Sequence, residues 1–290
     1  MNEPPPPAVG IIGLGLLGSA LAERLLLAGF PVRGFDIDAE RRAALSKFGG
    51  RCAAHACEAA VPCSRLLLSL PTTEVVESVL AEITPSLRPG TIVADTTTGD
   101  PRRHAEIGRR LAAKGVEYLD ACVSGSSEDA RRGAAVVIAG GSPQAFAACE
   151  DLFATFARRS FHVGACGSGS AMKLVTNLVL GLNRAALAEG FSLARSLGLE
   201  PFSTLEVLRE SAGYLRAMDA KGPKMAARDF RPHARLAQHL KDVRLILAAA
   251  EGNGQPLPFS ALHERLLAAL VEAGHGGEDN SAILRAFDTE

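Results

Sequence analysis

Apolar residues are spaced in two ways along this chain. Up to about Gly164, short apolar runs alternate with amphipathic stretches; beyond it only long stretches recur. Val9, Ile11 and Ile12 predict a strand, Ala20 to Leu27 a helix closed by Gly29, and Val32 to Phe35 a second strand. Strands follow at Arg65 to Ser69, Thr91 to Ala94, Val116 to Leu119 and Ala134 to Ala139. Helices lie between them, at about Glu74 to Ala81 and from Pro101 to Lys114, where Gly115 ends the helix. Alternation of this kind predicts a parallel sheet with helices on both faces, over residues 8–165. Ligands of such sheets gather at the strand C-termini. Leu70-Pro71, Thr96 to Thr98 and Ser124-Gly125-Ser126 are therefore expected along one edge.

From residue 166 to 290 the pattern predicts an all-α domain. Ala171 to Leu197 is one long helix, apolar on nearly every side, ended by Gly198 and Pro201. Such a helix is buried, here between domains or between subunits, which predicts a homodimer or homotetramer. Lys173, Asn177, Asn183, Arg184, Glu189 and Arg195 interrupt it and exclude a membrane span. Phe202 to Glu210, His233 to Ala250, Pro258 to Ala273 and Ser281 to Phe287 read as further helices.

Between the first two strands stands Gly13-Leu14-Gly15-Leu16-Leu17-Gly18. Gly13 permits a tight turn, Gly15 lets backbone approach a pyrophosphate, and Gly18 allows close helix–strand packing. The helix start offers free N–H groups and a positive dipole end. Asp36, 18 residues after Gly18, ends the second strand, where an acid accepts from ribose hydroxyls. A glycine turn alone is a weak signal; strand, turn, helix and acid in this order predict dinucleotide binding. The acid favours NAD, with NADP possible because Arg33, Arg41 and Arg42 lie nearby.

Composition narrows the classes. The chain has 290 residues, 47% hydrophobic and 22% charged, as expected of a soluble globular protein with two domains. A net charge of −1 gives no bulk field for nucleic acid or an acidic membrane. Met1 to Pro7 carries four prolines and reads as a disordered tail rather than a signal peptide. The six cysteines form no CxxC pair, so they are expected as free thiols, mostly buried, in a reducing, cytoplasmic setting without a metal site.

Lys173 is the sharpest candidate for chemistry. It lies near the start of the apolar helix, and Asn177 follows one turn later on the same face. A buried lysine beside a nicotinamide has its pKa drawn toward that of a base at neutral pH; the plain alternative is a lysine snorkelling from a helix end. Ser124, Gly125 and Ser126 offer N–H groups and hydroxyls to a carboxylate, or form an ordinary turn. Lys241-Asp242 suits a helix-surface charge pair, and Asp279 a cap for the last helix. The seven histidines show no metal spacing and are mostly expected at the surface.

Taken in order, Gly13 to Gly18, Leu70-Pro71-Thr72, Asp95-Thr96-Thr97-Thr98, Asp120-Ala121-Cys122-Val123-Ser124-Gly125, Gly167-Ser168-Gly169-Ser170-Ala171-Met172-Lys173 and Lys241-Asp242 resemble the β-hydroxyacid dehydrogenases. That group includes 3-hydroxyisobutyrate dehydrogenase, tartronate semialdehyde reductase and 6-phosphogluconate dehydrogenase. The resemblance runs from about Val9 to Phe287. It implies a Rossmann domain, a long interdomain helix and an all-α domain that helps form oligomers. It implies Lys173 as the catalytic lysine and Asn177 as its companion. Ser124 and Gly125 match the substrate-carboxylate loop; Leu70, Pro71, Thr98 and Lys241 match cofactor contacts. Leu17 stands where methionine is usual, Ser126 and Glu128 replace glycines, and Cys122 replaces a proline. Thr176 and Val75 each replace an asparagine. The substrate loop is thus altered while the lysine is kept. The expected activity is NAD(P)-dependent interconversion of a small β-hydroxy acid and its oxo or semialdehyde form. Two rivals are a non-catalytic dinucleotide-binding sensor and an imine reductase on the same scaffold; Lys173 argues against both.

Overall fold

The computed structural model describes residues 6–288. The first five residues of the proline-rich stretch read as a tail lie outside them. Val9–Ile12 is apolar apart from its glycine and forms β1, buried at every position. In chain order there follow α1 (Leu16–Leu27), β2 (Val32–Phe35), α2 (Ala39–Lys47), β3 (Arg51–Cys52), α3 (Ala56–Ala60), β4 (Arg65–Leu68) and α4 (Thr73–Ile83). Then come β5 (Ile92–Asp95), α5 (Pro101–Ala112), β6 (Glu117–Ser124), α6 (Ser127–Arg131), β7 (Ala135–Gly140), α7 (Pro143–Ala147), α8 (Glu150–Phe156) and β8 (Ala157–His162). The long helix α9 spans Ser168–Ser196, and α10 (Pro201–Glu210), α11 (Ala217–Ala226), α12 (Leu236–Glu251) and α13 (Pro258–Glu272) follow. A 3-10 segment over Asn280–Phe287 ends the described chain.

The eight strands form one sheet in the order β3-β2-β1-β4-β5-β6-β7-β8. The chain reverses its direction of travel across the sheet between β1 and β4, the position at which open α/β sheets bind ligands. Successive strand residues face opposite sides. Ile11 and Leu67 join one core with Leu21, Leu25, Phe153 and Phe156. Ile12, Leu66 and Leu68 join the other with Val93, Ile107 and Tyr118.

The sheet differs from the wholly parallel one expected, since β7 runs antiparallel to β6. Strand β8 was not expected. Arg158, Arg159, Phe161 and His162 are exposed on this edge strand, so it lacks the apolar run that marks a central strand.

Two compact units divide inside α9, the first ending at Lys173 and the second beginning at Leu174. Within the second, Leu187, Phe191, Leu205, Met218, Leu236, Leu240 and Leu267 form the core. Helix α11 was missed by pattern because Gly222 and Pro223 interrupt it. Many apolar residues of α9 are not covered by this chain: Met172, Val175, Val179 and Leu193 are exposed. No helix among the described residues is long and apolar enough to cross a membrane.

Candidate functional site

Polar side chains cap most of the short helices in the first unit. Asp38, His55, Thr72, Asp100, Ser126 and Ser142 each accept an N–H at the head of α2 to α7. Helix α1 differs: its N-cap is Gly15, with no side-chain cap. A Cβ on Gly15 would meet only the Arg41 guanidinium, at 3.8 Å. The first N–H groups of α1 are thus left to an anion, which the positive end of the helix favours. The flanking glycines hold the turn tightly. Gly13 has φ +93°, and a Cβ there would lie 2.2 Å from the Ser69 carbonyl oxygen; one on Gly18 would lie 1.9 Å from that of Gly13. Leu16 is exposed beside the turn and Leu17 half-buried.

Asp36 lies just beyond β2 and is buried. Its Oδ2 accepts the Leu14 N–H at 2.7 Å and its Oδ1 that of Asp38 at 2.9 Å. Arg41 Nη1 is 3.5 Å from Oδ2, and Arg42 donates to the Asp36 carbonyl oxygen at 2.6 Å. The acid is therefore aligned by backbone and flanked by cations.

The other motifs follow strand ends as expected. After β4, Leu70 donates its N–H to Thr97 Oγ1 at 3.2 Å; Leu70 is half-buried and Pro71 exposed. After β5, Thr96 and Thr97 are buried and Thr98 half-buried. Strand β6 ends at Ser124, and Gly125 takes φ +134°, a conformation open to glycine. Ser126 closes a capping box: its N–H and hydroxyl both donate to Asp129 Oδ2, at 2.8 and 2.7 Å, and its Oγ accepts the Asp129 N–H. Its polar groups are thus engaged in shaping the loop that follows β6.

Lys173 is 8% exposed, low for a lysine. Burial pushes the neighbouring Cys122 thiol up to about 12, against the opposing pull of the Lys173 charge. In the second unit, Asn177 donates from Nδ2 to Asp242 Oδ2 at 3.0 Å, and Lys241 Nζ lies 3.4 Å from Asp242 Oδ1. The Lys241-Asp242 pair is thus not the surface pair of the plain reading, for Asp242 is tied to α9. Asp279 caps the final 3-10 segment as expected. It also binds Lys221 Nζ at 2.7 Å and the N–H groups of His233 and Ala234. Burial opposes its charge, but these partners outweigh burial and hold it at about 2.

Comparison with known proteins identifies the family. Residues 8–164 match the family model of the NAD binding domain of 6-phosphogluconate dehydrogenase. Residues 167–287 match that of the NAD-binding domain of NADP-dependent 3-hydroxyisobutyrate dehydrogenase. The chain belongs to this dehydrogenase family. It is similar to L-threonate dehydrogenase of Cupriavidus necator, with 32% identity over 96% of this chain and 95% of that one. It is also similar to 2-(hydroxymethyl)glutarate dehydrogenase of Eubacterium barkeri, with 31% identity over 97% and 94%. The solved structure of Mycobacterium tuberculosis 3-hydroxyisobutyrate dehydrogenase with L-serine superposes with a TM-score of 0.90 at 28% identity, covering 98% of this chain and 99% of that one. The chain is accordingly an NAD(P)-dependent oxidoreductase of the hydroxyacid dehydrogenase type.

Sequence reasoning missed the buried histidines of this dehydrogenase. His104, His239 and His263 are all buried, against the surface placement expected of most. His104 sits in the first turn of α5 near Asp95 and Ser170. His239 accepts from Arg184 Nη2 at 3.0 Å and lies 5.2 Å from His263, centroid to centroid. Nothing in a single histidine's spacing marks burial; His104 three residues after Pro101, on the inward side of an amphipathic helix, was the available signal. All six cysteines are free as expected, but Cys52, Cys57 and Cys166 are only half-buried.

Proposed function

We propose that this enzyme interconverts a small β-hydroxy acid and its oxo or semialdehyde form, with Lys173 as the acid–base. The observation that carries the reading is a lysine 8% exposed in the first turns of α9, within a chain whose α1 start is left uncapped for a dinucleotide. Neutral Lys173 takes the substrate hydroxyl proton during oxidation; its ammonium returns that proton during reduction. When bound, the nicotinamide accepts or supplies the hydride. Asn177, held by Asp242, orients substrate or lysine rather than moving a proton. Ser124 Oγ and the Gly125 N–H receive the substrate carboxylate, with Ser126 and Asp129 holding the loop in shape.

For the cofactor, Gly13, Gly15, Leu16, Leu17 and Gly18 meet the pyrophosphate, and Asp36 accepts from the ribose hydroxyls of NAD in preference to NADP. Leu70, Pro71, Thr98 and Lys241 complete its contacts. The exposed apolar stripe of α9 is covered by a second copy of the chain, giving a homodimer or homotetramer, in the cytoplasm.

The test is turnover of L-threonate, 3-hydroxyisobutyrate and 2-(hydroxymethyl)glutarate with NAD and with NADP, followed by absorbance of the reduced cofactor. Turnover of at least one acid, abolished by Lys173→Met, supports the proposal. Cofactor binding without turnover of any acid or semialdehyde would leave the binding-module reading instead.

A further inference from the structure

The head of α9 is anchored to the sheet through side chains buried beneath the strand ends. Asp120 lies in the middle of β6 and is 0% exposed. Its Oδ1 accepts the Gly167 N–H at 2.8 Å and its Oδ2 the Ser170 N–H at 2.6 Å. A carboxylate is thus fixed at the positive end of a 29-residue helix and satisfies two N–H groups that have no partner within the helix. Gly169 makes the close approach possible, since a Cβ there would lie 2.1 Å from the Asp120 carbonyl oxygen and 2.7 Å from the Gly140 nitrogen.

Ser170 extends the anchor sideways. Its Oγ lies 2.8 Å from His104 Nδ1. His104 Nε2 is 4.0 Å from Asp95 Oδ2 and 3.5 Å from Thr73 Oγ1. Tyr118 donates to Asp95 Oδ2 at 2.7 Å, and the Thr97 N–H to Asp95 Oδ1 at 2.9 Å. Asp95, His104, Asp120 and Ser170 are each 0% exposed. Buried polar groups left unpaired are destabilising, so this chain of bonds admits few alternative arrangements. It ties α9 to β6 through Asp120 and to α5 through His104, with Asp95 of β5 4.0 Å beyond the imidazole.

Lys173 follows Ser170 by three residues on the same helix, and Ser124 follows Asp120 by four on the same strand. We infer that Asp120, Ser170 and His104 are positioning residues that fix Lys173 relative to the Ser124 end of β6. The inference rests on the reading of Lys173 as acid–base. It assigns these groups no contact with substrate; they act by holding the helix head that carries the lysine. Displacements of about 1 Å reduce turnover by about 10²-fold, which sets the scale of the effect.

The test uses the full enzyme and the acid turned over best among L-threonate, 3-hydroxyisobutyrate and 2-(hydroxymethyl)glutarate. Ser170→Ala removes the link to His104 but leaves the backbone N–H on Asp120. His104→Leu removes it from the other side, and His104→Asn restores a polar nitrogen near the place of Nδ1. Ser170→Ala and His104→Leu are expected to lower kcat about 10- to 100-fold, with KM and NADH binding by fluorescence unchanged. The isotope effect with substrate deuterated at the carbinol carbon should rise, and His104→Asn should regain most of the loss. A fall in Tm and in the number of NADH sites, with kcat per site unchanged, would mean a purely structural role and overturn the inference. Wild-type kcat in Ser170→Ala beside an inactive Lys173→Met would overturn it and leave the lysine reading standing. Full activity in Lys173→Met would remove that reading, and this one with it. Should none of the acids react, reductive methylation of Lys173 read by mass spectrometry decides: its rate should change in Ser170→Ala, and an unchanged rate counts against positioning.

Discussion

Asp36 Oδ2 accepts the Leu14 N–H at 2.7 Å, joining the end of β2 to the glycine turn across 22 residues of chain. The acid is therefore oriented by the same turn that leaves the head of α1 open. Its carboxylate repels a 2′-phosphate, while Arg41 is 51% exposed and its attraction is screened by water. NAD should have the larger kcat/KM, and Asp36→Ala should weaken NAD binding and narrow the gap. Higher kcat/KM with NADP in the wild-type enzyme would refute this.

Ser124→Ala should raise KM for acid substrates. A hydrogen bond to a charged group contributes about 1.5–3 kcal/mol, or roughly 10- to 150-fold. Steady-state kinetics on the best acid reads the change; KM unaltered for every acid would exclude Ser124 as a carboxylate contact.

Lys173→Met keeps an apolar stem of similar length and deletes charge and proton. Turnover should fall about 10²–10⁴-fold, with NADH fluorescence titrations nearly unchanged. Asn177→Ala should slow turnover less, by loosening the link to Asp242.

His263 and His239 predict an acid-sensitive second unit. Burial, then the neighbouring Arg184 charge, lowers His263 to about 4 and holds His239 well below the usual range. The folded state thus resists protons that the unfolded chain binds below about pH 6.5, so stability is present at neutral pH and lost as pH falls. The slope is at most about 1.4 kcal/mol per pH unit for each histidine. Denaturant unfolding at pH 7.5 and 5.5 should show the loss, and His263→Gln should flatten it. Equal stability of the wild type at both values would contradict the prediction.

Met172, Val175 and Val179 recur at three- and four-residue spacing on α9 and are all exposed. Light scattering at micromolar concentration should give at least a dimer, and Val175→Asp should shift it toward monomer. A monomeric wild type would show that this stripe has another use.

The Rossmann half was legible because its signals are local. Val9 to Ile12, the three glycines and Asp36 lie within one βαβ unit, where chain spacing dictates spatial position. The place of Ser124 at a strand end and of Lys173 near a helix start was legible from pattern. Helices α12 and α13 showed plain apolar periodicity. The edge strand β8 did not, because an edge exposes both faces and needs no apolar run.

From residue order alone came the open helix start, the acid after β2, the lysine at the head of a long helix and the two-part architecture. Folding supplied what depends on distant pairs. Asp120 meets Ser170 across 50 residues, Ser170 meets His104 across 66, and Asn177 meets Asp242 across 65. No periodicity encodes such pairs, since a buried polar side chain is defined by its partner, and the partner is chosen only when the strands and helices come together.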